Sequence, residues 1–262
     1  MNILILLVDA LRADRVLGDN RRCQTPNIDK LRQQGTCFSQ AIAQASFTSS
    51  SVAAILTGTY SFIHGVRSLR GYKLSSEVTT LAQILRRNGY HTFAEVTGPL
   101  IPEMGLGRGF DKYHYRDVEE NAYTAWGDSL IKMFKEKTYK GPWFGLVHFW
   151  VLHEQVGRER EVPKEFNQSK YGKCQYDRAV SAFDNWLGQL LRTLDEDTLV
   201  ILLSDHGEQI FKNNLEKWQN RLRRYSIAIE RKLGKSQKYF LEVGHGFHVY
   251  DFAPAMADGR CY

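Results

Sequence analysis

Four short apolar runs, NILILLV, HTFAEV, WFGLVHF and TLVILL, are separated along the chain by longer stretches with helical apolar spacing. This alternation constrains the fold more than any other feature. Strands joined through helices pair most simply as a mostly parallel sheet, with the connecting helices packed on its faces. Strands are predicted over Asn2–Val8, His91–Val96, Trp143–Phe149 and Thr198–Leu203, and helices over 27–34, the run after Thr48, 79–88, 121–135 and 176–194. The first of these helices starts after Pro26 and stops at Gly35, the residue types that favour a helix entry and exit. There is no internal repeat or low-complexity tract. The expected organisation is a single α/β domain over residues 1–262, long enough to bury a sizeable core.

Composition excludes several classes. Residues 3–8 lack a basic flank and a small-residue cleavage site and close on Asp9, so they read as a buried strand and not a signal peptide. No apolar run approaches the roughly 20 residues of a membrane span. Cys23, Cys37, Cys174 and Cys261 fall in neither a CxxC nor a zinc-ligand spacing, which points to free thiols and a reducing, cytoplasmic setting. The formal charge of +6 is concentrated between residues 209 and 241, where nine basic side chains face two acidic ones. Leu215, Trp218, Leu222, Tyr225, Ile229 and Leu233 recur there at spacings of three and four, predicting a basic amphipathic helical insert at about 209–241. Such a helix either solvates its outer face or, through 212–238, attracts a polyanion, a membrane surface or a partner.

The chemistry-bearing residues stand at strand ends. NILILLV runs into Asp9, TLVILL runs through Ser204 into Asp205 and His206, and WFGLVHF carries His148 and His153 toward the same rim. In a parallel sheet the carboxyl ends share one edge, and ligands bind in the crevice outside it. Two carboxylates and an imidazole suit a divalent cation, although each Asp could instead cap the turn that follows it. Gly207 lets the chain turn sharply beside them. The stretch SFTSSSVAAILTG sets four hydroxyls, Thr48 to Ser51, before an apolar run. Capping explains some of them. A cation-bound hydroxyl would also be a nucleophile at neutral pH, and a helix start favours an anionic group, so a tetrahedral oxyanion ester fits both.

Taken together, LILLVDALRAD (4–14), TPNIDKLRQQGTCFSQA (25–41), LAQILRRNGYHT (81–92), DRAVSAFDNWLGQLLRTL (177–194), TLVILLSDHGE (198–208) and GHGFHVYD (244–251) resemble the alkaline phosphatase/sulfatase superfamily over nearly the whole chain. The resemblance implies an alkaline-phosphatase-like three-layer sandwich, with helices on both faces of a mostly parallel central sheet. It implies one divalent metal ion (zinc, manganese, magnesium or calcium) held by Asp9, Thr48, Asp205 and His206, with Thr48 as nucleophile. His153 and His245 match its catalytic and substrate-binding histidines, and His64 in IHGV matches a structural HG. Aligning AAILTG with the AALLTG that follows CxPSR in sulfatases puts Thr48, Ser50 and Val52 at the cysteine, proline and arginine, which argues against formylglycine chemistry. Ala10 stands where a second acid often follows the first metal Asp, and Phe149 where a two-metal phosphodiesterase would place an Asp, so one cation is expected. The expected activity is a metal-dependent hydrolase or transferase acting on a phosphate mono- or diester through a phosphothreonine. The alternatives are a sulfuric ester hydrolase working with unmodified threonine and a non-catalytic anion-binding protein.

Overall fold

The computed structural model describes residues 1–18, 21–69, 71–139, 141–153, 160–210, 215–216, 218–219 and 222. In chain order its strands and α-helices are β1 (Asn2–Val8), α1 (Ala13–Val16), α2 (Pro26–Gln34), α3 (Thr48–Thr57), α4 (Ser61–His64), α5 (Leu81–Arg87), β2 (His91–Val96), β3 (Lys112–Tyr115), α6 (Ala125–Lys135), β4 (Trp143–Phe149), α7 (Gln175–Leu191) and β5 (Thr198–Leu203). The strands form one sheet in the order β3-β2-β4-β1-β5, and every pairing is parallel. Four strands have the bounds read from the sequence. The fifth, β3, was not anticipated. Its KYHY carries no apolar run because the strand sits at the sheet edge with most side chains in water.

β1 is buried along nearly all its length, so both of its faces must be apolar. Leu4, Leu6 and Val8 face a core shared with Val147, Phe149 and the apolar sides of α6 and α7. Ile5 and Leu7 face the opposite core, built with Phe144, Leu146, Val52, Ala53 and Leu56. Helices thus cover both faces of the sheet, and each fully buried aliphatic side chain contributes roughly 1.5–3 kcal/mol. The register sets Leu7 level with His148 on one side and with Leu203 on the other. The carboxyl ends of three adjacent strands therefore arrive at the same height.

Helix ends differ from expectation where a distant side chain intervenes. Thr25 does not cap α2. Its free N–H groups at Asn27 and Ile28 donate instead to Asp184 of α7, at 3.1 and 2.8 Å. α6 starts at Ala125 and not at 121, because Asn121 Oδ1 accepts from Tyr123 N at 2.8 Å and holds a turn. α3 ends on Gly58, whose φ of 65° is the left-handed exit that glycine adopts freely. In the basic segment, residues 215–216, 218–219 and 222 are helical, with Leu215, Trp218 and Leu222 exposed; most of 209–241 lies outside the described residues, as does Cys261. Cys23, Cys37 and Cys174 are free thiols. Among the described residues no helix is long and apolar enough to cross a membrane.

Candidate metal and nucleophile site

The site begins where β1 stops. Asp9 N donates to Phe149 O at 2.9 Å, extending the pairing with β4 by one step. Ala10 then turns with φ 60°, a left-handed conformation uncommon for a side chain with Cβ. Two bonds hold it there. Ala10 N donates to Asp205 Oδ1 at 3.2 Å, and the Tyr176 hydroxyl donates to Ala10 O at 2.7 Å. Leu11 N donates to Ser204 Oγ, which donates in turn to His206 O, at 3.0 and 2.7 Å. The loops after β1 and β5 are thereby clasped together, and the local strain falls on the residue between the two acids, as at many functional sites.

Thr48, the first residue of α3, enters this clasp from the facing helix layer. Its Oγ1 donates to Asp9 Oδ2 at 2.9 Å and lies 3.2 Å from His206 Nε2. Asp9, Thr48, Asp205 and His206 are all buried. The hydroxyl has one proton, which Asp9 accepts. His206 Nδ1 lies 2.7 Å from Gly207 O, an acceptor only, so Nδ1 carries a hydrogen and neutral Nε2 turns a lone pair toward the threonine oxygen. Two lone pairs at that distance repel. A proton on Nε2, or a cation between the groups, relieves them.

The rest of the cluster repeats the pattern. Asp205 Oδ2 lies 3.4 Å from His206 Nε2, and His148 Nε2 lies 3.5 Å from Asp9 Oδ2. Ligand atoms of Asp9, His148 and Asp205 fall within 4.8 Å of one another. Among the described residues, no hydrogen bond of normal geometry reaches Asp9 Oδ1, Asp205 Oδ2 or either nitrogen of His148. Buried acceptors without donors are costly, and a divalent cation satisfies several at once. The donor set fits such an ion.

Burial raises the Asp9 pKa. Burial and the neighbouring Asp9 charge raise that of Asp205 to about 6. Burial works against a charged His206, but Asp205 and Asp9 outweigh it and lift the pKa to about 8. Burial drives His148 down to about 3. These directions predict a pH dependence for the chelated protein. His206 and Asp205 both bind protons more tightly folded than unfolded, from ordinary values of 6.5 and 3.8. Each contribution is complete below the unfolded pKa and fades as pH rises through the folded one. The Asp205 contribution is mostly spent by about pH 6, and His148, held below its ordinary value, regains stability as pH rises through about 6.5 and offsets part of the His206 loss. Stability in chelator should therefore fall between about pH 6 and 8 by a net amount on the order of 1 kcal/mol. Urea midpoints across that window check it, and a midpoint that rises with pH contradicts it.

The other hydroxyls do not cap the helix, contrary to the expectation that Thr48's neighbours would. The residue before α3 is Phe47, and no side chain caps its N–H groups. Ser49 Oγ and Ser51 Oγ donate to Leu69 O and Ala45 O, at 3.0 and 2.8 Å, tying down the loops beside the helix start. His64 is buried, with Nδ1 accepting from Val66 N at 3.1 Å. His153 packs beside the cluster through Trp150. Its ring stacks on Trp150 at 4.0 Å, and Trp150 meets His148 edge-on. Trp150 covers Gly98, where φ is 67° and a Cβ would lie 2.6 Å from the indole. His245 lies outside the described residues. Two groups enter the site without a role read from the sequence. His148 is one. The other is Glu208, buried and paired with Arg160 at 3.0 Å.

The Sulfatase family profile matches residues 1–241. Arylsulfatase D of Homo sapiens is 36% identical over 102 residues, which is 35% of this chain and 17% of that protein. Two solved structures share the fold. A Bacteroides thetaiotaomicron protein from a locus for metabolism of multiple glycosaminoglycans superposes with a TM-score of 0.64 at 18% identity, over 79% of this chain and 61% of its own. The phosphonate monoester hydrolase of Agrobacterium radiobacter superposes with a TM-score of 0.59 at 19% identity, over 79% and 62%. The chain spans less than two thirds of each of these proteins.

Proposed function

The chain belongs to the sulfatase family, and from that premise we propose that it is a metal-dependent hydrolase or transferase of a phosphate ester, with Thr48 as nucleophile. The observation that carries this reading is Thr48 Oγ1, held 2.9 Å from Asp9 and 3.2 Å from His206 at the first turn of α3. Asp9, Thr48, Asp205 and His206 would hold one divalent ion. When bound, it supplies Lewis acidity, easing loss of the threonine proton and neutralising oxyanion charge.

The protein's own groups do the rest. Asp9 orients the Thr48 hydroxyl and accepts its hydrogen. The uncapped N–H groups at the start of α3 favour an anionic ester there. The Thr48 oxygen forms a bond to phosphorus as the bond to the leaving oxygen breaks, and a histidine, His153 or His245, returns a proton to that oxygen. Water or an acceptor alcohol then cleaves the phosphothreonine. Electrostatic stabilisation carries most of the acceleration, since phosphoryl transfer asks little covalent work of the protein.

Phosphate is preferred over sulfate because residue 48 is threonine, with Ser50 and Val52 where the modifying signature needs proline and arginine. The name of arylsulfatase D favours a second reading, a sulfate ester attacked by unmodified threonine. Turnover of an aryl phosphate, a phosphodiester and an aryl sulfate, each with zinc, manganese, magnesium and calcium, separates them. A phosphorus ester should lead by at least about tenfold, roughly 1.4 kcal/mol in transition-state stabilisation. A leading aryl sulfate replaces the first reading with the second. Binding of all three without turnover leaves an anion-binding protein.

A further inference from the structure

We infer that His148 is a second imidazole ligand to the cation proposed above, and that the site is therefore selective for a nitrogen-preferring ion such as zinc over calcium or magnesium. The inference rests on reading this cluster as a cation site, and it adds a ligand and an ion class to that reading.

β4, WFGLVHF, is buried throughout, and His148 is its one ionisable side chain. His148 is 0% exposed. A core histidine is normally hydrogen-bonded through at least one nitrogen, and among the described residues neither nitrogen of His148 has a partner of normal hydrogen-bond geometry, only a looser contact with the Thr97 backbone. Packing explains the ring's position but not why Nε2 lies 3.5 Å from Asp9 Oδ2. Trp150 meets it edge-on at 5.6 Å, and Arg116 Nη2 donates to the His148 carbonyl, so the strand end is held firmly.

Strand parity then aims the ring. Phe144 and Leu146 face the core beneath α3, and His148 follows in the same alternation. Leu7, level with His148, faces that core too, and Asp9 lies two residues beyond it. Leu203, level with Leu7 on the other side, packs against the same core, with Asp205 two residues beyond it. Three strands thus direct Asp9, His148 and Asp205 to one spot below Thr48. Ligands about 2.0–2.2 Å from a tetrahedral ion stand roughly 3.3–3.6 Å apart, and these atoms already fall within 4.8 Å of one another, so an ion would have to draw them in only modestly. Two imidazoles, two carboxylates and a hydroxyl make a donor set for zinc. Calcium asks for six to eight oxygens, and magnesium for a near-octahedral oxygen shell.

The test uses the full chain, chelated and then reloaded. Loaded with copper(II) as a spectroscopic probe, the wild type should show spin-echo modulation from two coordinated imidazoles, and His148→Asn from one. Zinc affinity should fall by about 100-fold or more in His148→Asn, while calcium affinity changes by less than about threefold. One imidazole in the wild type, unchanged zinc affinity in the variant, or wild-type preference for calcium each overturns the inference and leaves the cation reading standing. A wild type that binds none of the ions overturns both. Should His148→Asn fail to fold, the imidazole count and the zinc-against-calcium preference of the wild type decide alone.

Discussion

Thr48→Ala is expected to lower kcat/KM by at least about 10⁴-fold on any ester the chain turns over, the scale of loss when a nucleophile is removed from a group that acts as a unit. Its effect on stability should be small by comparison. The variant loses one buried hydrogen bond, from Thr48 Oγ1 to Asp9 Oδ2, and leaves an acceptor without its donor, at a cost of about 1–3 kcal/mol. Thr48→Ser keeps the oxygen and should retain turnover within about 100-fold, since only the methyl group that fixes its rotamer is lost. Acid-quenching a turnover with a phosphorus ester and mapping the modified residue gives an independent readout. The wild type should carry covalent phosphate on residue 48, and the alanine variant none. Alanine at 48 with turnover within tenfold of wild type would move the nucleophile elsewhere.

Residue 48 also marks how far the sequence could be read. β1, β2, β4 and β5 were legible to the residue: β1 and β4, buried on both faces, need an unbroken apolar run, while β2 and β5, less fully covered, still carry runs of strand-forming side chains. β3 was not, since an edge strand of KYHY carries no such demand. The acids at the ends of β1 and β5 follow from parallel topology alone, which brings Asp9 and Asp205 together across 196 residues of chain. His148 was visible on the rim, yet it sits inside an apolar run where a lone histidine reads as core. Only the register against Leu7 shows what it faces. Contacts from distant chain were the least legible. Nothing local to Asn27 or Ile28 announces that Asp184 of α7 will take their N–H groups, and nothing in SFTSSS announces that Ser49 and Ser51 serve the Leu69 and Ala45 carbonyls.

Asp205→Asn should move two quantities in opposite directions. Ion binding should be lost, beyond the roughly 100-fold that removing a supporting group costs, because a neutral amide replaces a carboxylate among the proposed ligands. The chelated protein should be as stable as wild type or more so, by about 1 kcal/mol. Asp205 Oδ1 accepts from Ala10 N and His206 N at 3.2 and 3.0 Å, and an amide oxygen can accept both. Among the described residues Oδ2 accepts no hydrogen bond of normal geometry, and it lies 3.4 Å from His206 Nε2, so an amide nitrogen there can donate to the imidazole lone pair. The substitution also removes one of two like charges buried side by side, an arrangement that costs folding free energy unless a counter-ion is present. With it goes the largest charge holding His206 above its ordinary pKa, so the fall in chelated stability between about pH 6 and 8 should flatten. Urea midpoints in chelator across that range, paired with zinc titrations, measure both effects. If the asparagine variant loses several kcal/mol in chelator, the carboxylate anchors the two loops; if it keeps wild-type zinc affinity, Asp205 is no ligand. The expected result, a weaker site in a sturdier protein, follows from a pair of charges whose burial the fold itself does not require.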